Sequence, residues 1–445
     1  MRDSRRRTSS ILLAVVLAGA CTSTPSPSHP SKVNAGRFAT ATPIKHVVFV
    51  IKENRSFDNL FGTFPGADGA TVGSSYGANI PLKHDPSFSQ RMGHDLPHDR
   101  IAALKDFDHG KMDGFGFNST GRRYAYTQLE QEQLPNYWHW AERFVLADRF
   151  FASANGPSFP NHLFTIAAQS GGTVDNPDAP PSKERGDFKT WGCDAPESET
   201  VEVHDTEGHI LHVPPCFDFE TVGDELSAKG IPWSYYAAAP VPWDQAPQSG
   251  YIWNAYAAVR HYREHPQSWE SHVFPVQSFV RDVGDGRLAP VTWVTPQFAY
   301  SEHPEYSFCH GENWTTRIVD AVMRSRYWKD TAIVVVWDDW GGFYDHVPPT
   351  QIDRYGLGIR VPFLMISAYA KQGLIDHERT EFSDVVRLIE DNWRLGHLDT
   401  PRDLAAGDLF REFDFEQPPR EPDPLPQRTD CQGDPFAKPP PDAYR

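Results

Sequence analysis

The chain has few of the residues that mark several common classes of protein. Of its 445 residues only five are cysteine, and no two of these share the C-x-x-C spacing of a structural zinc site. Basic side chains are outnumbered, 42 Lys and Arg against 59 Asp and Glu, for a formal charge of −17. That balance excludes a nucleic-acid partner, whose phosphate backbone requires a basic surface. It equally excludes docking to anionic lipid by charge alone. The apolar run at residues 11–20 is too short to span a bilayer, and no internal repeat is present. At 39% hydrophobic content, the chain can still bury a large core.

Residues 1–21 read as a signal peptide. Arg2, Arg5, Arg6 and Arg7 form a basic region, the apolar run follows, and small residues Ala18, Gly19 and Ala20 precede Cys21. The pattern predicts a lipobox with Cys21 as the lipidated residue, or simple cleavage at an A-x-A-like site. Either way the protein is expected to be exported, and membrane contact would come only through the anchor. Residues 22–40 are a Pro/Ser-rich tether, 41–417 the catalytic domain, and 418–445 a proline-rich tail, draped or disordered. Export makes Cys193, Cys216, Cys309 and Cys431 disulfide candidates. Of the three possible pairings, the one joining the neighbours Cys193 and Cys216 is favoured, leaving Cys309 with Cys431.

Three stretches carry chemistry. In KHVVFVIKENRSFDNLFG, from Lys45 to Gly62, a β-branched apolar run predicts a buried parallel strand over 46–51. It ends at Glu53 and Asn54, where ligands of open α/β sheets bind. These offer oxygen ligands to a hard cation, and read alone they serve equally well as caps of the next helix. In DTAIVVVWDDWGGFYDHVPP, a second buried strand over 333–336 ends at Asp338 and Asp339. Adjacent carboxylates there repel unless a cation lies between them. In ADRFFASANGPSFPNHLFTIAAQ, Ser158 precedes Pro160 at the start of a predicted helix. Free N–H groups there favour an anion, although an ordinary N-cap is the simpler reading of this segment alone. Its GPSFP context is not the G-x-S-x-G elbow of serine esterases.

Together these stretches resemble the phosphoesterase family of bacterial phospholipases C and respiratory-burst-inhibiting acid phosphatases, within the alkaline phosphatase-like superfamily. ENRSFDNLFG, GKMDGF, GPSFPNHLF, EHP, WDDWGGFYDHVPP, GIRVPFLMIS and LFREFDF occur in the family's order. The resemblance implies a divalent metal ion held by Glu53, Asn54, Asp338 and Asp339, and Ser158 as the nucleophile. It implies that His98 and His303 line the phosphate pocket, one of them acting as the proton donor, and that Asn161 and His346 assist in binding. The chain departs from the family in PNH (160–162) for PNR, SEHP (301–304) for DEHP, and EFSDV (381–385) for an Asp-His-Thr segment. These departures bear on substrate preference.

Strand runs alternating with helical segments predict an α/β fold: a mostly parallel central sheet flanked by helices, with 175–218 as a loop-rich cap insertion. Helices are also expected over 126–148, 219–229, 314–328 and 382–395. The expected activity is metal-dependent hydrolysis of phosphate esters through a phosphoserine, acid phosphatase-like, with phospholipase C as the alternative. The non-enzymatic alternative is a ligand-binding lipoprotein on a degenerate fold.

Overall fold

A computed structural model describes residues 29–84, 95–116, 122–177, 191–196, 198–205, 207–240 and 249–436. The signal peptide and Cys21 lie outside these residues. The core is an eight-stranded sheet. In chain order its strands are β1 (His46–Lys52), β2 (Val145–Ala147), β3 (Trp233–Ala237), β4 (Val273–Pro275), β5 (Val291–Val294), β6 (Thr331–Trp337), β7 (Phe363–Ser367) and β8 (Leu374–Asp376). Across the sheet the order is β4-β3-β5-β1-β6-β7-β2-β8. All pairs are parallel except the two made by β7. The sheet is therefore mostly parallel, and every residue of β1 and β6 is buried. Burial on both faces explains why these strands are continuous Val/Ile runs rather than alternating patterns.

Five helices matter for the site: α1 (Phe57–Phe61), α2 (Pro135–Arg143), α3 (Ser158–Ala167), α4 (Phe308–Met323) and α5 (Phe382–Trp393). Helix α3 packs against α5, and α4 against α2. The expected helix over 126–148 is instead three pieces. Pro135 opens α2 at its first position, as a residue without a backbone N–H can. The apolar end, Val145–Ala147, pairs with β7 and β8 as β2. The helix expected over 314–328 begins earlier, at Phe308, where the Ser307 side chain accepts from His310 N.

Cys193 is bonded to Cys216 and Cys309 to Cys431. Within 175–218, Val201–His204 and Ile210–Val213 form an antiparallel hairpin. This excursion meets the start of α3: the Phe159 N–H donates to Asn176 Oδ1 at 2.9 Å, and the Phe159 and Trp191 rings lie 5.8 Å apart. The tail is draped along α2 and α4 as far as Phe436. Asn136 Nδ2 donates to Pro426 O at 3.0 Å, Leu425 N to Asp320 Oδ1 at 3.0 Å, and Trp328 Nε1 to Arg420 O at 2.7 Å. Among the described residues no helix is long and apolar enough to cross a membrane.

Candidate active site

The site forms where β1 and β6 end side by side. Lys52 stands in register with Trp337, and both turn to Glu302: Lys52 Nζ lies 3.2 Å from Glu302 Oε1, and Trp337 Nε1 donates to Oε2 at 3.0 Å. Tyr137 of α2 donates to the same carboxylate at 2.6 Å. Successive side chains of a strand point to opposite faces, so Glu53 and Asp338, one residue on, leave together on the other side. Asn54 then adopts the left-handed conformation, φ +46°, which asparagine tolerates better than most residues. Gly341, at φ +62°, closes over it. A Cβ there would fall 2.4 Å from the Asn54 carbonyl oxygen, so only glycine fits.

The third strand of the rim, β5, leads to Glu302 (φ +75°) and His303. Opposite stands α3, whose cap is Pro157; Ser158 is its first residue and makes no capping bond. Its hydroxyl faces the acids instead. Ser158 Oγ is 3.2 Å from Asp339 Oδ2 and 3.4 Å from Glu53 Oε2, and it accepts from Asn54 Nδ2 at 3.2 Å. Four residues on, one helical turn along the same face, His162 Nε2 lies 2.8 Å from Glu53 Oε1 and 3.6 Å from Asp338 Oδ2.

Glu53, Asp338 and Asp339 are fully buried, and three such carboxylates are costly without a cation. Burial, and then the neighbouring acids, push Glu53 well above the usual carboxylate range. The same causes raise Asp339. For Asp338, burial alone would raise the carboxyl, but hydrogen bonding and charge from His162 hold it low. Asn54 Oδ1 is buried with no hydrogen-bond partner. Three carboxylates and an orphaned amide oxygen are the donors a divalent cation takes, so the residues fit such an ion.

His98 and His303 lie edge to face, ring centroids 5.3 Å apart. Burial alone would lower His98, but Asp95, 3.5 Å away, and Asp339 raise it to about 9. Its Nδ1 is 2.7 Å from Leu96 O. Burial lowers His303 to about 4, and the charge of His98 adds to the effect. The two rings are thus shifted in opposite directions, His98 toward its protonated form and His303 toward its neutral one.

Two expected binding residues are placed elsewhere. Asn161 turns its side-chain amide to the backbone of the loop before α3. Its Oδ1 accepts from Ala154 N at 2.8 Å, and its Nδ2 donates to Gly156 O and Pro157 O, both at 3.0 Å. It therefore holds the loop that presents Ser158. His346 belongs to a separate ion cluster, with Nδ1 2.7 Å from Asp58 Oδ2 and Nε2 3.2 Å from Asp68 Oδ1. Arg360 and Asp345 complete that cluster. Sequence reasoning noted His162 only as part of the PNH departure and gave it no role beside the acids. Its spacing of four from Ser158 was the available signal.

The family model described as the Phosphoesterase family matches residues 44–396. Non-hemolytic phospholipase C of Pseudomonas aeruginosa is 26% identical, over 95% of this chain and 65% of its own length. The chain thus spans about two thirds of that relative. Phospholipase C B of Mycobacterium tuberculosis is 25% identical, over 85% of this chain and 79% of its own. Among solved structures, phosphonate monoester hydrolase of Agrobacterium radiobacter is similar over 83% of this chain and 77% of its own, at 11% identity and a TM-score of 0.39.

Proposed function

Because the chain belongs to the phosphoesterase family, we propose that it hydrolyses phosphate esters by nucleophilic attack of Ser158, with a divalent metal ion held by Glu53, Asn54, Asp338 and Asp339. One observation carries this reading: a helix-opening hydroxyl 3.2 Å from Asp339 and 3.4 Å from Glu53, acids delivered by two different strands. When bound, the metal supplies Lewis-acid neutralisation of the phosphoryl oxygens and of the developing alkoxide.

The chain's own residues do the rest. Asn161 fixes the 154–157 loop, so the Ser158 oxygen is positioned before substrate arrives. The hydroxyl proton leaves toward the carboxylates it faces, and Oγ bonds to phosphorus as the ester P–O bond breaks. His98, held protonated by Asp95, gives its proton to the departing alkoxide. Water then attacks the phosphoserine, releasing phosphate and restoring the hydroxyl. His303, neutral beside it, is suited to accepting a hydrogen bond rather than to donating a charge.

The reading extends to an exported protein with acid phosphatase-like preference for monoesters, supported by the N-terminal segment and by serine at the nucleophile position. A phospholipase C acting on phospholipid diesters is the second reading, favoured by the relatives that carry that name. Turnover of a panel of phosphomonoesters and diesters, with metal analysis of the purified protein, tests both. Hydrolysis of neither class, with no metal found, overturns the proposal.

A further inference from the structure

We infer that His162 is a nitrogen ligand of the metal at this site, which makes the centre a mixed nitrogen–oxygen one. The inference rests on the metal-dependent reading above and deepens it. Glu53, His162 and Asp338 are all buried and offer ligand atoms within 4.8 Å of one another, close enough to share a single ion.

The ring has no other task. It is 2% exposed, its Nε2 is aimed between Glu53 Oε1 and Asp338 Oδ2, and its Nδ1 has no hydrogen-bond partner. The alternative role for such a ring is a protonated counter-ion. A counter-ion alone leaves Asn54 Oδ1 buried without a partner, whereas an ion shared by Glu53, Asn54, Asp338 and His162 would satisfy it.

The helix makes this geometry available. With Ser158 at the first position of α3 and His162 four residues later, one turn presents the nucleophile and a ligand to a common cation. The donor chemistry then shifts selectivity. Oxygen-only sites suit Mg²⁺, Ca²⁺ and Mn²⁺, whereas imidazole adds preference for Zn²⁺, Fe²⁺ and Co²⁺.

The test uses the full mature protein, stripped with a chelator and reloaded with Mn²⁺. Pulsed electron paramagnetic resonance is expected to show ¹⁴N coupling to the metal in the wild type and to lose it in His162→Gln. Equilibrium dialysis is expected to show Zn²⁺ affinity falling by about 10–100-fold in His162→Gln, with Mg²⁺ affinity changing far less. Bound Mn²⁺ without ¹⁴N coupling in the wild type would overturn the nitrogen ligand and leave the metal-dependent reading intact. Failure of the wild type to bind any divalent ion would overturn both. The wild-type spectrum decides the question even if the variant does not fold.

Discussion

At the residue scale, the site depends on atoms that have no substitute. Ser158→Ala removes the oxygen facing Glu53 and Asp339 and creates no steric problem. Phosphoester hydrolysis is expected to fall at least about 10³-fold, with an unchanged circular dichroism spectrum. Gly341→Ala places a methyl group against the Asn54 carbonyl at a positive φ. Loss of activity and a lowered melting temperature are both expected, and recovery of full activity would show that Asn54 tolerates displacement. The acids of this site were legible because a strand has a simple period. A buried run that stops at Glu-Asn or Asp-Asp announces a sheet edge and its chemistry together. The partners of Asn161 and His346 were not legible for the opposite reason: residue type says nothing of which partner wins. The backbone of a tight loop captured one and an Asp–Arg cluster the other.

At the element scale, α5 carries an unusual load. Its Glu390 is buried beside Asp403 and Glu225, and burial first, then these two acids, raises it to about 10. A carboxyl raised in this way binds its proton more tightly in the folded state than in the unfolded chain, where it titrates near ~4.3. Stability is therefore fully kept below that value and declines as pH rises toward about 10. Glu390→Gln keeps the neutral shape, so thermal melting is expected to change little at pH ~4.5 and to rise by roughly 2 °C or more at pH ~8. Equal shifts at both values would count against a buried neutral acid. Elements were read well where one apolar pattern ran unbroken, as in β1, β6 and α5. Reading failed over 126–148, where Pro135 and a three-residue strand divide one aromatic-rich segment. The antiparallel direction of β7 left no local trace at all, since pairing direction is decided by where the connecting chain returns.

Across the whole molecule, two ties reach over long stretches of chain. The Cys309–Cys431 bond closes 122 residues, fastening the tail along α4. Cys431→Ser is expected to lower the unfolding free energy by about 2–5 kcal/mol, measured by denaturant titration. No change would mean that the tail's hydrogen bonds suffice. The metal proposed at the site is the second tie, since it offsets three carboxylates from two strands. Exhaustive chelation is expected to lower the melting temperature by roughly 3 °C or more and to abolish hydrolysis together with it. Reversal by added metal separates this effect from damage.

The strand ends that build the centre lie far apart along the chain. Glu53 is made early and Asp339 late, and the partners of both meet only once β6 has been inserted between β1 and β7. Until then each acid is hydrated like any loose carboxylate of an unfolded chain, with no preformed ion site. The metal proposed above can thus be gripped only after both strands are seated, and the surroundings in which they settle decide which cation the chain first meets.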